Sequence, residues 1–441
     1  MPPTIRPRDR DTLIQALRTG VVPRVGQHLI QVGRAHEIDA LLKNLDSLAD
    51  GGAAFRLVIG EYGSGKTFFL NLIRAIALEK KLVTTTADLN PERRLQASGG
   101  QARSLYAELS KNLSTRTKPD GGALPGIVEK FLFTAATEAT TAGVGVDVII
   151  QRKLAQLSEM VNGYDFAQVI QVYSSAAKEG NEQRKSDAIR WLRGEFSTKT
   201  DARNALGVRT IVDDATIYDQ LKLFSVFVRQ CGFTGLLVCL DEMVNLYKLS
   251  NAQARNANYE QILRILNDVL QGSSSGLGFL LGGTPEFLMD TRRGLYSYAA
   301  LQSRLAENTF AKDGLVDFQH PVIRLSSLSQ EDFLVLLQKI QHVFAYGDEA
   351  QYPLPSEALP AFMSHCQEKI GEAYFRTPRT TITSFVNLLA VLQQNTGTDW
   401  KDLIGQVAVT KDDGGSADLS VENDATGATP ASNDEFTKFK L

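Results

Sequence analysis

The stretch Gly60-Glu61-Tyr62-Gly63-Ser64-Gly65-Lys66-Thr67-Phe68 satisfies the spacing G-x-x-x-x-G-K-[ST]. Each residue type has a physical task in that pattern. Glycines let the backbone curl so that successive N–H groups point inward at phosphate oxygens. An apolar run, Phe55 to Ile59, precedes the loop and helix-like sequence follows it, so a helix N-terminus would add its positive dipole. In this frame Lys66 is expected to reach the β- and γ-phosphates of a nucleotide, and Thr67 to hold Mg²⁺. A strand that closes in two adjacent carboxylates, Leu236-Leu-Val-Cys-Leu240-Asp241-Glu242, supplies the second half. Asp241 is the candidate metal ligand. Glu242 is the candidate base that orients and activates water.

Further along, Gly282-Gly-Thr284-Pro285-Glu286 places a hydroxyl at a strand tip, where Thr284 would contact the γ-phosphate or the lytic water. The same threonine is a natural N-cap for a helix opening at Pro285. Arg304, in Ser303-Arg304-Leu305, lies about twenty residues later at a helix end. Ring-forming ATPases present an arginine from such a position to the neighbouring subunit's γ-phosphate. Arg292 and Arg293 are rivals for that role. Pro378-Arg379 opens another helix, from which Arg379 would reach the phosphates, with Arg376 as the alternative. Val32-Gly33-Arg34 precedes a helix upstream of the glycine loop and is expected to pack around the adenine. Two other features carry no such chemistry. "AGVGVDV" at 142–148 lacks a third glycine and follows no strand, and the five histidines are scattered.

Positioning these residues needs an α/β frame. Strands are expected at Arg56–Ile59, Leu82–Leu89, Gly235–Leu240, Gly278–Gly282 and Val322–Leu325, with a helix from Lys66 to Glu79. The second and third of these strands are about 145 residues apart, so a large helical insertion is expected at about 100–230. From Ser329 the pattern turns helical, opening with an N-cap serine and an acidic first turn, and 355–404 reads as two or three more helices. The expected organisation is N-terminal helices leading into the core (1–50), an α/β ATPase domain (51–328), a helical lid (329–408) and a disordered acidic tail (409–441). That tail ends in Phe436-Thr-Lys-Phe439-Lys-Leu441.

At 441 residues the chain exceeds the roughly 250–300 at which single cores stop growing. Its 43% hydrophobic and 22% charged content is that of an ordinary globular protein. The last 31 residues carry three lysines and seven acids, so of 47 basic and 50 acidic residues the rest keeps 44 and 43. Near-neutrality does not mark a constitutive nucleic-acid binder. The N-terminus MPPTIRPRDR lacks an apolar core, and no apolar run approaches the ~18–20 residues that span a bilayer. Three cysteines without CxxC spacing suit a reducing interior, and a cytoplasmic location is expected.

The order of these parts resembles AAA+ ATPases (P-loop NTPases of the ASCE type, a parallel sheet sandwiched by helices), nearer the origin-recognition and transposition-helper branch than the unfoldases. More narrowly, "LIQALRTGVVP", "GEYGSGKTFF" and "SYAALQSRL" resemble the BrxD group of BREX phage-defence ATP-binding proteins, over most of residues 11–405. The resemblance implies a Mg²⁺-dependent ATPase switch or motor. It further implies a homo-oligomer, ring or filament, that acts on, or signals about, DNA alongside defence-system partner proteins, with direct DNA binding left open. A scaffold that binds ATP with little turnover is the competing class. A small-molecule kinase fits less well, for want of an arginine cluster in the lid.

Overall fold

The computed structural model describes residues 5–311, 316–395 and 397–410, and the acidic tail and terminal aromatic peptide expected beyond 410 lie outside them. The sheet has five strands: β1 (Ala54–Ile59), β2 (Val83–Asp88), β3 (Leu236–Asp241), β4 (Leu277–Gly283) and β5 (Val322–Arg324). All pairings are parallel, in the order β2-β3-β4-β1-β5. β1, β3 and β4 are buried along their whole length, which is why they read as continuous apolar runs rather than alternating ones. Successive residues still face opposite ways. Val58 meets Leu41, Leu45, Phe69 and Ile73 from helices Ala35–Ala49 and Lys66–Glu79 on one face. Leu57 and Ile59 join the larger core on the other.

The order has a direct consequence for chemistry. β4 lies between the strand that feeds the glycine loop and the strand that ends in Asp241, so Thr284 emerges between the two. Carboxyl ends of parallel strands, at a point where the strand order reverses, are where open α/β sheets bind ligands.

Helices from Gln101–Lys111 to Ile217–Gln230 fill the stretch between β2 and β3. They share one continuous core with the sheet instead of forming an appended unit. Phe166 anchors this packing, with edge-on contacts to Trp191, Phe224 and Phe227. Its neighbour Asp165 is buried and accepts hydrogen bonds from the Arg209 and Thr210 amides, at 3.0 and 2.7 Å. "AGVGVDV" is a helix junction: Gly143, at φ 66°, ends helix Leu124–Ala142 before Val146–Ser158 begins.

A second core gathers helices Gln330–Phe344, Ala358–Ile370, Arg379–Gln394 and Trp400–Gln406. Ser329 and Asp332 form a reciprocal capping box at its entry. Among the described residues after 355, the single-turn helix Ala373–Arg376 raises the helix number to four, against the two or three expected over 355–404. Helix Pro7–Arg18, from the N-terminal segment, packs on this core through Leu13, Ile14 and Leu17. Arg10 donates to the Phe344 carbonyl at 3.1 and 2.9 Å, and Thr383 to the Leu17 carbonyl at 3.0 Å. Periodicity shows that a helix has an apolar face but not what that face meets. No helix among the described residues is long and apolar enough to cross a membrane.

Candidate functional site

A cleft of about 580 Å³ opens at the carboxyl ends of β1, β3 and β4, walled on its far side by Leu328, Leu336, Pro378, Arg379 and Ile382. Gly63 and Gly65 take the left-handed conformation, at φ 76° and 82°, which bends the glycine loop back over the start of helix Lys66–Glu79. A β-carbon on Gly63 would stand 2.9 Å from Thr377 Cγ2, so the missing side chain lets the loop and the helical region touch. Lys66 Nζ donates to the carbonyls of Gly60 and Glu61, at 2.9 and 2.8 Å. The Glu61 carboxylate itself is exposed. Tyr62, Ser64 and Phe68 line the cleft with Gly63, Gly65, Lys66 and Thr67.

Thr67 Oγ1 donates to Asp241 Oδ2 at 2.6 Å, across 174 positions of sequence. Two hard oxygen donors side by side suit magnesium, which usually takes one or two protein oxygens and completes its shell with phosphate and water. Among the described residues no group of three His, Cys, Asp or Glu forms a self-sufficient metal cage. Room for the Asp241 carboxylate is made by a glycine on the neighbouring strand. A β-carbon on Gly282 would overlap Asp241 Oδ1 and lie 2.8 Å from Leu70 Cδ1. Gly282→Ala is therefore expected to cost about 1–3 kcal/mol of stability by overpacking. Chemical denaturation measures this, and an unchanged midpoint would show that the carboxylate can swing aside.

Glu242 lines the cleft and holds φ 56°, rare for a residue with a side chain. Its amide donates to Asp241 Oδ1 at 2.8 Å, and Met243 resumes pairing with the Gly282 carbonyl at 3.0 Å, so the turn is held on both sides. Burial pushes the Glu242 carboxyl up, Asp241's charge adds to that, and Lys66 opposes it. Burial pushes the Lys66 ammonium down against the pull of Asp241, Glu242, Glu61 and Glu286.

Thr284 both lines the cleft and caps helix Pro285–Met289, its Oγ1 accepting from Phe287 N at 3.4 Å. Arg379 lines the far wall, the stem of its side chain beside Gly20. Arg376 is instead paired with Glu372 at 2.6 Å. Val32 lines the cleft, and Arg34 braces it by donating to the Ser64 carbonyl. Gly33 lies behind, where a side chain would press on Asp332. Arg304 is not part of the cleft of its own chain: it is exposed and donates to the Ala300 carbonyl of its own helix at 2.8 Å. Arg292 and Arg293 are both exposed, and Arg293 is tied to the Tyr247 and Leu249 carbonyls at 3.3 and 3.2 Å.

Sequence reasoning missed the wall formed by Gly20, Val21, Val22 and Pro23, together with Ile30 and Gln31. The signal was present: an apolar Val-Val-Pro run between two helices has no core of its own to enter. Asp88, across the strand register from Asp241, also went unnoticed as a third carboxylate at this end of the sheet.

An α/β fold with a parallel sheet, a glycine loop entering a helix, and a threonine hydroxyl against a strand-end carboxylate is consistent with a P-loop NTPase. The family described as BREX system ATP-binding protein BrxC/D matches residues 5–408, and the chain belongs to that family. ATP binding within a phage-defence system is thus its setting, as the glycine-loop text led one to expect. The match stops short of the acidic tail. No curated protein matches the chain.

Proposed function

We propose that this protein is a Mg²⁺-dependent ATP hydrolase that works as an oligomeric switch or motor coupled to DNA or to defence partner proteins. The observation that carries hydrolysis, beyond binding, is Glu242. Its backbone is held in a costly left-handed conformation that sets a carboxylate in the cleft close to Lys66 and Asp241. In this reading the glycine loop and Lys66 bind the phosphates, Glu242 takes a proton from the attacking water, and Thr284 orients that water. Thr67 and Asp241 would hold magnesium, which when bound neutralises charge on the phosphate oxygens. Arg379 would complete the far side. The strand order, with β4 between β1 and β3, agrees with the AAA+-like ASCE class. The reading divides the chain into an α/β core (51–328), with its helical insertion, and a lid (329–408).

Arg304 stands outside its own cleft, which favours delivery to a second copy's γ-phosphate. Specific ATPase activity is then expected to rise with protein concentration, and Arg304→Ala to flatten that rise while ATP still binds. Equal specific activity at every concentration would rule out the trans arrangement. Glu242 and Arg304 count against the competing reading, a nucleotide-gated scaffold, which purified protein that retains ATP with negligible turnover, with and without DNA, would favour instead.

A further inference from the structure

Beside the glycine loop and the carboxylates, the cleft is lined by the apolar side chains of Leu17, Val21, Val22, Ile30, Leu336 and Ile382, which would form its base end. Such a wall accepts any nucleobase, because every base has an apolar face. Gln31, on the stretch that carries Val21, Val22 and Ile30, adds a polar side chain to this lining, as does Arg379, whose stem lies beside Gly20. The Gln31 amide has a defined orientation. Nε2 donates to the Val32 carbonyl at 2.9 Å and to the Gly33 carbonyl at 3.0 Å, contacts that only the NH₂ group can make. Both donors are thereby used on the chain's own backbone. The residue is fixed again from the other side, where Lys339 Nζ donates to its main-chain carbonyl. What is left over is Oε1, an acceptor with no protein donor in the described structure, on a side chain that lines the cleft.

We propose that Gln31 is the residue that selects adenine, by offering Oε1 to the exocyclic amine of the base. Guanine presents a carbonyl oxygen at the corresponding position, and two acceptors face to face repel. A site built to satisfy a hydrogen-bond donor discriminates strongly against an analogue lacking it, since its own polar group then stays unpaired. Gln31 cannot rotate to show guanine its NH₂ without giving up two hydrogen bonds to Val32 and Gly33.

This inference rests on the cleft being the nucleotide site, and equilibrium titration tests it with ATP, GTP and purine riboside triphosphate, which lacks the amine. The unsubstituted protein should bind ATP about tenfold or more tightly than either alternative. Gln31→Leu should bring the three affinities within about threefold of one another. A variant that merely loosened the fold would weaken all three nucleotides together, so the ratio isolates the contact. An ATP preference that survives Gln31→Leu unchanged would overturn the assignment, as would equal binding of ATP and purine riboside triphosphate by the unsubstituted protein. If the unsubstituted protein binds none of the three, the nucleotide reading of the cleft itself fails.

Discussion

Lys66→Ala is expected to weaken ATP binding by about a hundredfold or more, the effect of losing two charge-assisted hydrogen bonds to phosphate. Electrostatics makes this the most sensitive single position. The ammonium sits amid the fields of Asp241, Glu242, Glu61 and Glu286, while burial works against its charge. Without it the phosphate end of the cleft would present mainly carboxylates to a polyanion. Lys66 bonds to the carbonyls of Gly60 and Glu61, so its charge already supports the loop that must receive the phosphates. The two bonds lie within the glycine loop and tie no other element to it, so the fold should change little, within about 1 kcal/mol. Calorimetric titration of ATP, paired with a thermal melt of the free protein, separates the two effects. Affinity within threefold of the parent would mean that backbone N–H groups alone hold the nucleotide. A collapsed melting temperature would mean that the lysine is a structural prop.

How much of this was legible beforehand depended on whether the cause was local. The glycine loop, helix Lys66–Glu79 and the Ser329 cap are local: turn chemistry and capping operate within a few residues, and they appear where the spacing put them. The convergence of Thr67 with Asp241 was legible too, because each carries its own motif. Arg10, however, finds the Phe344 carbonyl 334 positions away. Nothing in its neighbourhood announces that partner. The contact of Gly63 with Thr377 and the orientation of the Gln31 amide belong to the same class. So does the direction of Arg304, which spacing located but could not aim. Local patterns identified the glycine loop and the strand-end carboxylates, while the apolar wall and the contacts of the C-terminal helices emerged only from packing between distant segments.

Glu242→Gln tests the proposed chemistry most directly, because the two side chains are nearly the same size and shape. A positioned general base contributes about 10²–10⁴ to rate, so multiple-turnover hydrolysis should fall by that factor. Binding should not fall with it. The substitution removes a negative charge from beside Lys66, so affinity for an anionic ligand should hold or rise. The backbone should keep its turn, because it is held by the Glu242 amide on Asp241 and by Met243 on Gly282, neither of which involves the replaced carboxylate. The glutamine amide of the variant would still line the cleft from the same left-handed backbone, but it could not accept the proton. Turnover reduced a hundredfold or more with ATP retained would identify Glu242 as the base. Turnover within threefold of the parent would assign that strained residue to shaping the cleft, and proton removal would pass to another group at this end of the sheet. Asp241→Asn provides the contrast: it weakens the oxygen pair with Thr67, so its loss should be partly recovered by raised magnesium, whereas the loss in Glu242→Gln should not respond to magnesium at all.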